Sequence, residues 1–194
     1  MIKTNTMIKV DEPMIQTGSD KKGFTVIELL IVVAIMAVMA VFAIPQIMAR
    51  LPEYRLKAAA GDLQANLQKA RVKAVRDNSP VRVRFVSSVT PGYYYFDDDN
   101  DGVWDAGEFR VDLSNYGSGV DFGSGNATAT WSSGTITQAS LITFGTRATA
   151  NSASVYLENE TATICYAVTT SIAGTGKVRI YNGDTPFNTS NWKQ

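Results

Sequence analysis

Gly23-Phe24-Thr25-Val26-Ile27-Glu28-Leu29-Leu30 opens an apolar run that continues to Ile44 with one interruption, the carboxylate of Glu28 at its mouth. Residues 24–47 supply the roughly 20 residues that an α-helix needs to cross a bilayer. The fold is decided here, because whatever follows must hang from a membrane-length helix. An ionisable side chain at the edge of such a segment is expensive and functional by default, with a partner to be named. The nearest partner is a free amine on Phe24. That amine exists only if the chain is cut between Gly23 and Phe24, and Lys21-Lys22-Gly23 before that bond gives a protease on the cytoplasmic face a recognisable address.

The stretch Lys21-Lys22-Gly23-Phe24-Thr25-Val26-Ile27-Glu28-Leu29-Leu30, with Pro45 closing the run, resembles the class III signal of type IV pilins and type II secretion pseudopilins. The resemblance implies cleavage by prepilin peptidase after Gly23 and N-methylation of Phe24. Glu28 then matches the acid that meets a neighbouring subunit's N-terminal amine during filament assembly. Two plainer readings fit less well. A secretory signal could use Val41-Phe42-Ala43 as its small-residue cleavage site, but a glutamate inside the apolar core argues against it. A simple anchor has the right length and no use for Glu28.

The 194 residues suffice for one domain and a membrane helix, and the formal charge is zero. Residues 1–23, the expected leader, hold four lysines (Lys3, Lys9, Lys21, Lys22) and three acids (Asp11, Glu12, Asp20), leaving the rest close to neutral. The positive-inside rule keeps those lysines cytoplasmic and sends the head to the periplasmic side of the inner membrane. The chain has no histidine, which removes the usual catalytic triads and most transition-metal sites. The expectation is therefore a non-enzyme that requires no cofactor. The one cysteine, Cys165, lies in an apolar strand-like run and reads as a small buried hydrophobe.

Beyond the membrane segment, Pro45 and Pro52 each remove a backbone donor, and a curved or locally unwound stem is expected. Leu56, Ala60, Leu63, Leu67, Ala70 and Ala74 then recur in steps of four and three, one apolar stripe along an amphipathic helix over residues 48–79. Asp77-Asn78-Ser79-Pro80 ends it. From Val81 the period becomes two, with Val81, Val83 and Phe85 alternating with Arg82 and Arg84. Further strands are expected at 93–96, 109–113, 141–144, 153–157, 163–169 and 177–181. Short strands between Gly, Ser, Asn and Thr imply antiparallel sheet, and the stripe is most simply covered by that sheet. The fold class is α+β, a long N-terminal helix packed on a β-rich head over residues 80–194. Residues 114–138 read as a long surface loop or irregular hairpin, marked only by Trp131 and Ile136, and 182–194 carry no assignment.

The helix from Ala60-Gly61-Asp62-Leu63 through Lys69-Ala70-Arg71-Val72-Lys73-Ala74, followed by Val81-Arg82-Val83-Arg84-Phe85, resembles the GspH/FimT family of minor pseudopilins. Leu141-Ile142-Thr143-Phe144-Gly145 and the runs Tyr166-Ala167-Val168 and Gly176-Lys177-Val178-Arg179 look like that family's closing strands. Thr146-Arg147-Ala148 stands where a glycine turn is usual, so the hairpin there should differ. The resemblance implies a structural subunit of a short periplasmic pseudopilus, at its tip, with prepilin peptidase, other pilin-like subunits and the inner membrane as partners. The alternative is a minor pilin of a type IV pilus serving adhesion, motility or DNA uptake. A free-standing calcium-dependent surface module would need neither Glu28 nor a cut at Gly23.

Asp97-Asp98-Asp99-Asn100-Asp101-Gly102-Val103-Trp104-Asp105-Ala106-Gly107-Glu108 fits the twelve-residue calcium-loop spacing. Asp97, Asp99, Asp101, the Val103 carbonyl, Asp105 and Glu108 fall at the ligand positions. A hard cation wants six to eight oxygens and would relieve the repulsion among these carboxylates. The flanks read as strands rather than helices, so an acidic hairpin whose Asx side chains cap their own turn is the competing reading. Lys69, Arg71, Lys73, Arg76, Arg82 and Arg84 form a basic run. A solvated polar face is the simpler account of it, and phosphate binding through Lys73 and Arg76 the sharper one. Nothing in the charge balance calls for nucleic acid.

Overall fold

The structure is a computed structural model that describes residues 23–173, 176–182 and 188–194. The expected leader before Gly23, with its four lysines, and Phe187 of the tail lie outside the described residues. The chain forms two compact units that part between Ala43 and Ile44.

Helix α1 (Val26–Arg76) has 51 residues and contains both Pro45 and Pro52. The expected unwinding is not found. Each proline forfeits one N–H and crowds one carbonyl a turn earlier. Around them stand Met, Ala and Leu, residues that favour helix, and the hydrogen bonds on either side keep the helix going. Its end is specified locally. Asn78 takes φ 47°, and the N–H groups of Asn78 and Ser79 reach back to the carbonyls of Val75 (3.4 Å) and Ala74 (3.2 Å). This is a Schellman closure with asparagine in the left-handed position.

The head holds two antiparallel sheets where the sequence reading expected one. The first contains β1 (Val81–Val86), β2 (Tyr93–Asp97), β3 (Arg110–Asp112) and β5 (Leu141–Phe144), in the order β3-β2-β1-β5. The second contains β4 (Asp121–Phe122), β6 (Ala153–Glu158), β7 (Ile164–Thr170), β8 (Lys177–Asn182) and β9 (Trp192–Lys193), in the order β4-β6-β7-β8-β9. The apolar stripe of α1, Leu56 through Ala74 with Ala59 added, is buried throughout. It meets Val83, Phe85, Tyr94, Phe96, Ile142 and Phe144 from the first sheet and Val155, Leu157 and Val168 from the second in one core.

The two-residue period of a strand then explains a second core. Tyr156, Cys165 and Ala167 point to the opposite face of the second sheet, where Tyr181, Trp192 and Ala127 join them. Residues 114–138, expected as surface loop, cover this face: Trp131 and Ile136 pack on it. The Trp131 and Trp192 rings meet edge to face at 5.7 Å, and the Trp192 indole N–H donates to the Ala129 carbonyl at 3.1 Å. Because β7 is buried on both faces, its sequence reads as a nearly unbroken apolar run.

Candidate functional site

The start of α1 is built by its own residues. The Glu28 N–H donates to the Thr25 hydroxyl at 3.2 Å and the Leu29 N–H to the Thr25 carbonyl at 3.2 Å. Thr25 is therefore the N-cap and Glu28 stands three residues on, the spacing of a capping box. Sequence reasoning missed this role for Thr25, although Thr-x-x-Glu before an apolar run is its signal. Ahead of the cap, Gly23 is exposed and a side chain placed there would meet no atom within 4 Å. Among the described residues, no packing demands glycine at this position. Phe24 is 83% exposed, and Val26 through Met48 present large apolar side chains around the whole helix. The most apolar 18-residue stretch of α1 has a mean hydropathy of 2.9, and among the described residues nothing buries it. A helix apolar all round must be covered by lipid or by other helices.

The acidic loop joins β2 to β3 and gathers its five predicted carboxylate ligands into two triads that share Asp99. Asp97, Asp99 and Glu108 each place a carboxylate oxygen within 4.8 Å of the others, and so do Asp99, Asp101 and Asp105. Asn100, Gly102 and Gly107 take positive φ angles of 65°, 84° and 114°, which fold the chain back on itself. Glu108 accepts the N–H groups of Asp98 (2.7 Å) and Asp105 (3.1 Å), while Asp101 accepts that of Val103 (2.7 Å). Asp97 is the buried member. Its Oδ2 pairs with the Arg84 guanidinium, and its Oδ1 is buried without a hydrogen-bond partner. Burial alone would raise the Asp97 pKa. The Arg84 hydrogen bond and charge outweigh it, with a smaller pull from the nearby N–H groups of Asn100 and Gly102, neither of which closes a hydrogen bond of ordinary geometry on Oδ1, and hold the carboxyl below its ordinary value.

The family model for type II transport protein GspH matches residues 59–174, more than half of the chain, and the prokaryotic N-terminal methylation motif matches residues 18–44. The chain belongs to the GspH family. No curated protein and no solved structure matches it. As a GspH-family chain with a methylation motif, it is a type II secretion pseudopilin or pilin-like protein, of a family of structural subunits. The GspH match begins on the buried stripe of α1 and takes in the acidic loop, the whole first sheet and β4, β6 and β7 of the second, stopping before β8 and β9. The methylation motif spans Gly23, Phe24 and Glu28.

Within this GspH framework the basic run, Arg82 aside, divides into partnered side chains. Lys73 pairs with Asp98 of the acidic loop, Arg76 with the adjacent Asp77, and Arg84 with Asp97. Lys69 lies over the Phe109 ring at 3.9 Å, and Arg71 donates to the Ala148 carbonyl at 3.2 Å. Lys73 and Arg76, the residues singled out for phosphate, thus each already face a carboxylate. Arg110 pairs with Asp112 and stacks on Tyr93 and Trp104. Cys165 is fully buried, and that burial, with the Glu158 charge beside it, pushes its thiol pKa up to about 12. A thiol held in that form is a poor nucleophile.

Proposed function

We propose that the protein is a minor pseudopilin of a type II secretion system. Prepilin peptidase cuts it after Gly23 and methylates Phe24, and it joins other pilin-like subunits at the tip of a short periplasmic pseudopilus that moves proteins across the outer membrane. The observation that carries this reading is Glu28, the one carboxylate at the mouth of an exposed, wholly apolar helix in a chain that matches both GspH and the methylation motif. A single-pass inner-membrane anchor accords with that helix, and the leader lysines favour a periplasmic head. The tip position rests on the resemblance to minor pseudopilins.

The mechanism follows from electrostatics in a dry place. Once cleavage frees the Phe24 amine, a neighbouring subunit's amine can meet Glu28 within the membrane, where an unpaired carboxylate is costly. Breaking a buried pair by removing one partner costs about 3–5 kcal/mol, enough to decide whether a subunit enters the filament. The capping-box position of Glu28 offers a plain alternative, a side chain that serves only the helix start, and the two separate by substitution. Glu28→Gln keeps a capping-box residue and removes the charge; Glu28→Ala removes both.

The test is a deletion in the native host complemented with wild type, Glu28→Gln or Glu28→Ala, scoring secreted proteins, twitching and DNA uptake together. Loss of secretion alone is expected for the deletion, with both variants processed normally yet failing to restore it. Restoration by Glu28→Gln would reduce Glu28 to a helix cap. Loss of motility or uptake with secretion intact would instead assign the protein to a type IV pilus.

A further inference from the structure

We propose that the β2–β3 connection is a calcium site, with the carboxylates of Asp97, Asp99, Asp101, Asp105 and Glu108 and the Val103 carbonyl as ligands. This goes beyond filament assembly and concerns a different part of the chain. Spacing alone would not carry it, since acidic turns are common without metal. Asp97 does. Its side chain is fully buried, Oδ2 is held by Arg84, and Oδ1 remains buried without a hydrogen bond of ordinary geometry, although the N–H groups of Asn100 and Gly102 stand near the carboxylate. A buried carboxylate oxygen left without a partner is unfavourable. Because Oδ2 is engaged, Oδ1 is the oxygen that Asp97 has to offer to the cluster it forms with Asp99 and Glu108.

Each acidic triad is compact enough to hold one ion, and the shared Asp99 joins the two. Calcium holds oxygens at 2.3–2.6 Å, so two ligands of a single ion stand at most about 5 Å apart. Both acidic triads fall within 4.8 Å, and they share Asp99. The hydrogen bonds that Glu108 and Asp101 accept do not exhaust them, because each carboxylate has about four acceptor positions. Residues 97–108 carry six carboxylates. Asp97 and Asp98 are neutralised by Arg84 and Lys73, whereas Asp99, Asp101, Asp105 and Glu108 make no ion pair among the described residues.

The donor set is all oxygen, on a flexible turn with many ligands. That favours calcium over the transition metals and over magnesium, which demands near-octahedral geometry at shorter distances and keeps its waters. A Kd of about 0.1–1 mM, the range of extracellular modules, is expected. Through Asp98 and Lys73 the same loop is tied to α1. The ion would therefore fix the hairpin against the helix.

Trp104 lies inside the loop and provides the readout. The full chain is purified in detergent micelles, stripped of metal with a chelator that is then removed, and titrated with terbium while tryptophan is excited. Saturable terbium emission is expected, displaced by calcium in the millimolar range and not by equal magnesium, and lost in Trp104→Phe. Calcium at ten times Kd should raise the melting temperature by about 3–6 °C. Asp101→Asn and Glu108→Gln keep acceptors for the loop's N–H groups. They should leave the metal-free melting temperature near wild type while weakening calcium at least tenfold. Absence of saturable emission, equal displacement by magnesium, or wild-type affinity in both variants would overturn the proposal.

Discussion

At the scale of single residues, the pairing of Arg84 with Asp97 has the clearest consequence for stability. The folded Asp97 carboxyl is held below its ordinary pKa, so as pH falls the unfolded chain takes up its proton first. Stability from this residue is fully present above the ordinary carboxylate range and is lost as pH drops through the folded pKa. Asp97→Asn should flatten that acid limb in urea unfolding and cost about 1.5–3 kcal/mol at neutral pH, the range for a hydrogen bond to a charged group. An unchanged acid limb would show that the pair does not set it. The acid at position 97 was legible because it opens a spaced string of aspartates; its partner was not. Arg84 stands opposite Tyr95 in the ladder and reaches Asp97 along the diagonal, a relation that exists only once register is fixed. The Thr25 cap was legible in principle, but the apolar run and Glu28 drew the reading toward the membrane.

At the scale of elements, the buried stripe of α1, its stop after Arg76 and the seven expected strands were all readable, because each is written in a period or a turn signal. β4 and β9 were not, since two residues carry no period. The turn after β5 shows how a departure from the expected pattern is accommodated. Where glycine would be usual, Ala148 adopts φ 59°, within a turn closed by Gly145 N–H to Thr149 O at 2.8 Å. The left-handed conformation costs an L-residue roughly 1–2 kcal/mol, and glycine's extra unfolded freedom costs about 0.5–1 kcal/mol. Ala148→Gly should therefore stabilise the head by about 0.5–1 kcal/mol and raise its melting temperature by a few degrees. A lowered melting temperature would mean that the turn relaxes in solution.

At the scale of the whole molecule, the split of the sheet into two was beyond sequence reasoning. Nothing in Val155 or Val83 says which sheet either joins, and residues 114–138 hide their packing role behind a polar composition, with Trp131 and Ile136 the two apolar marks. The other unit was the most legible part of all. An apolar helix with one acid at its mouth follows from composition and spacing, and among the described residues nothing covers its side chains. That bareness accords with a single-pass membrane anchor, and it is why the state of the helix N-terminus matters most. Mass spectrometry of the N-terminal peptide of the protein isolated from its host membranes tests this most directly. The expected peptide begins at Phe24 and carries one added methyl group; an intact leader, or a chain beginning after Ala43, would contradict it.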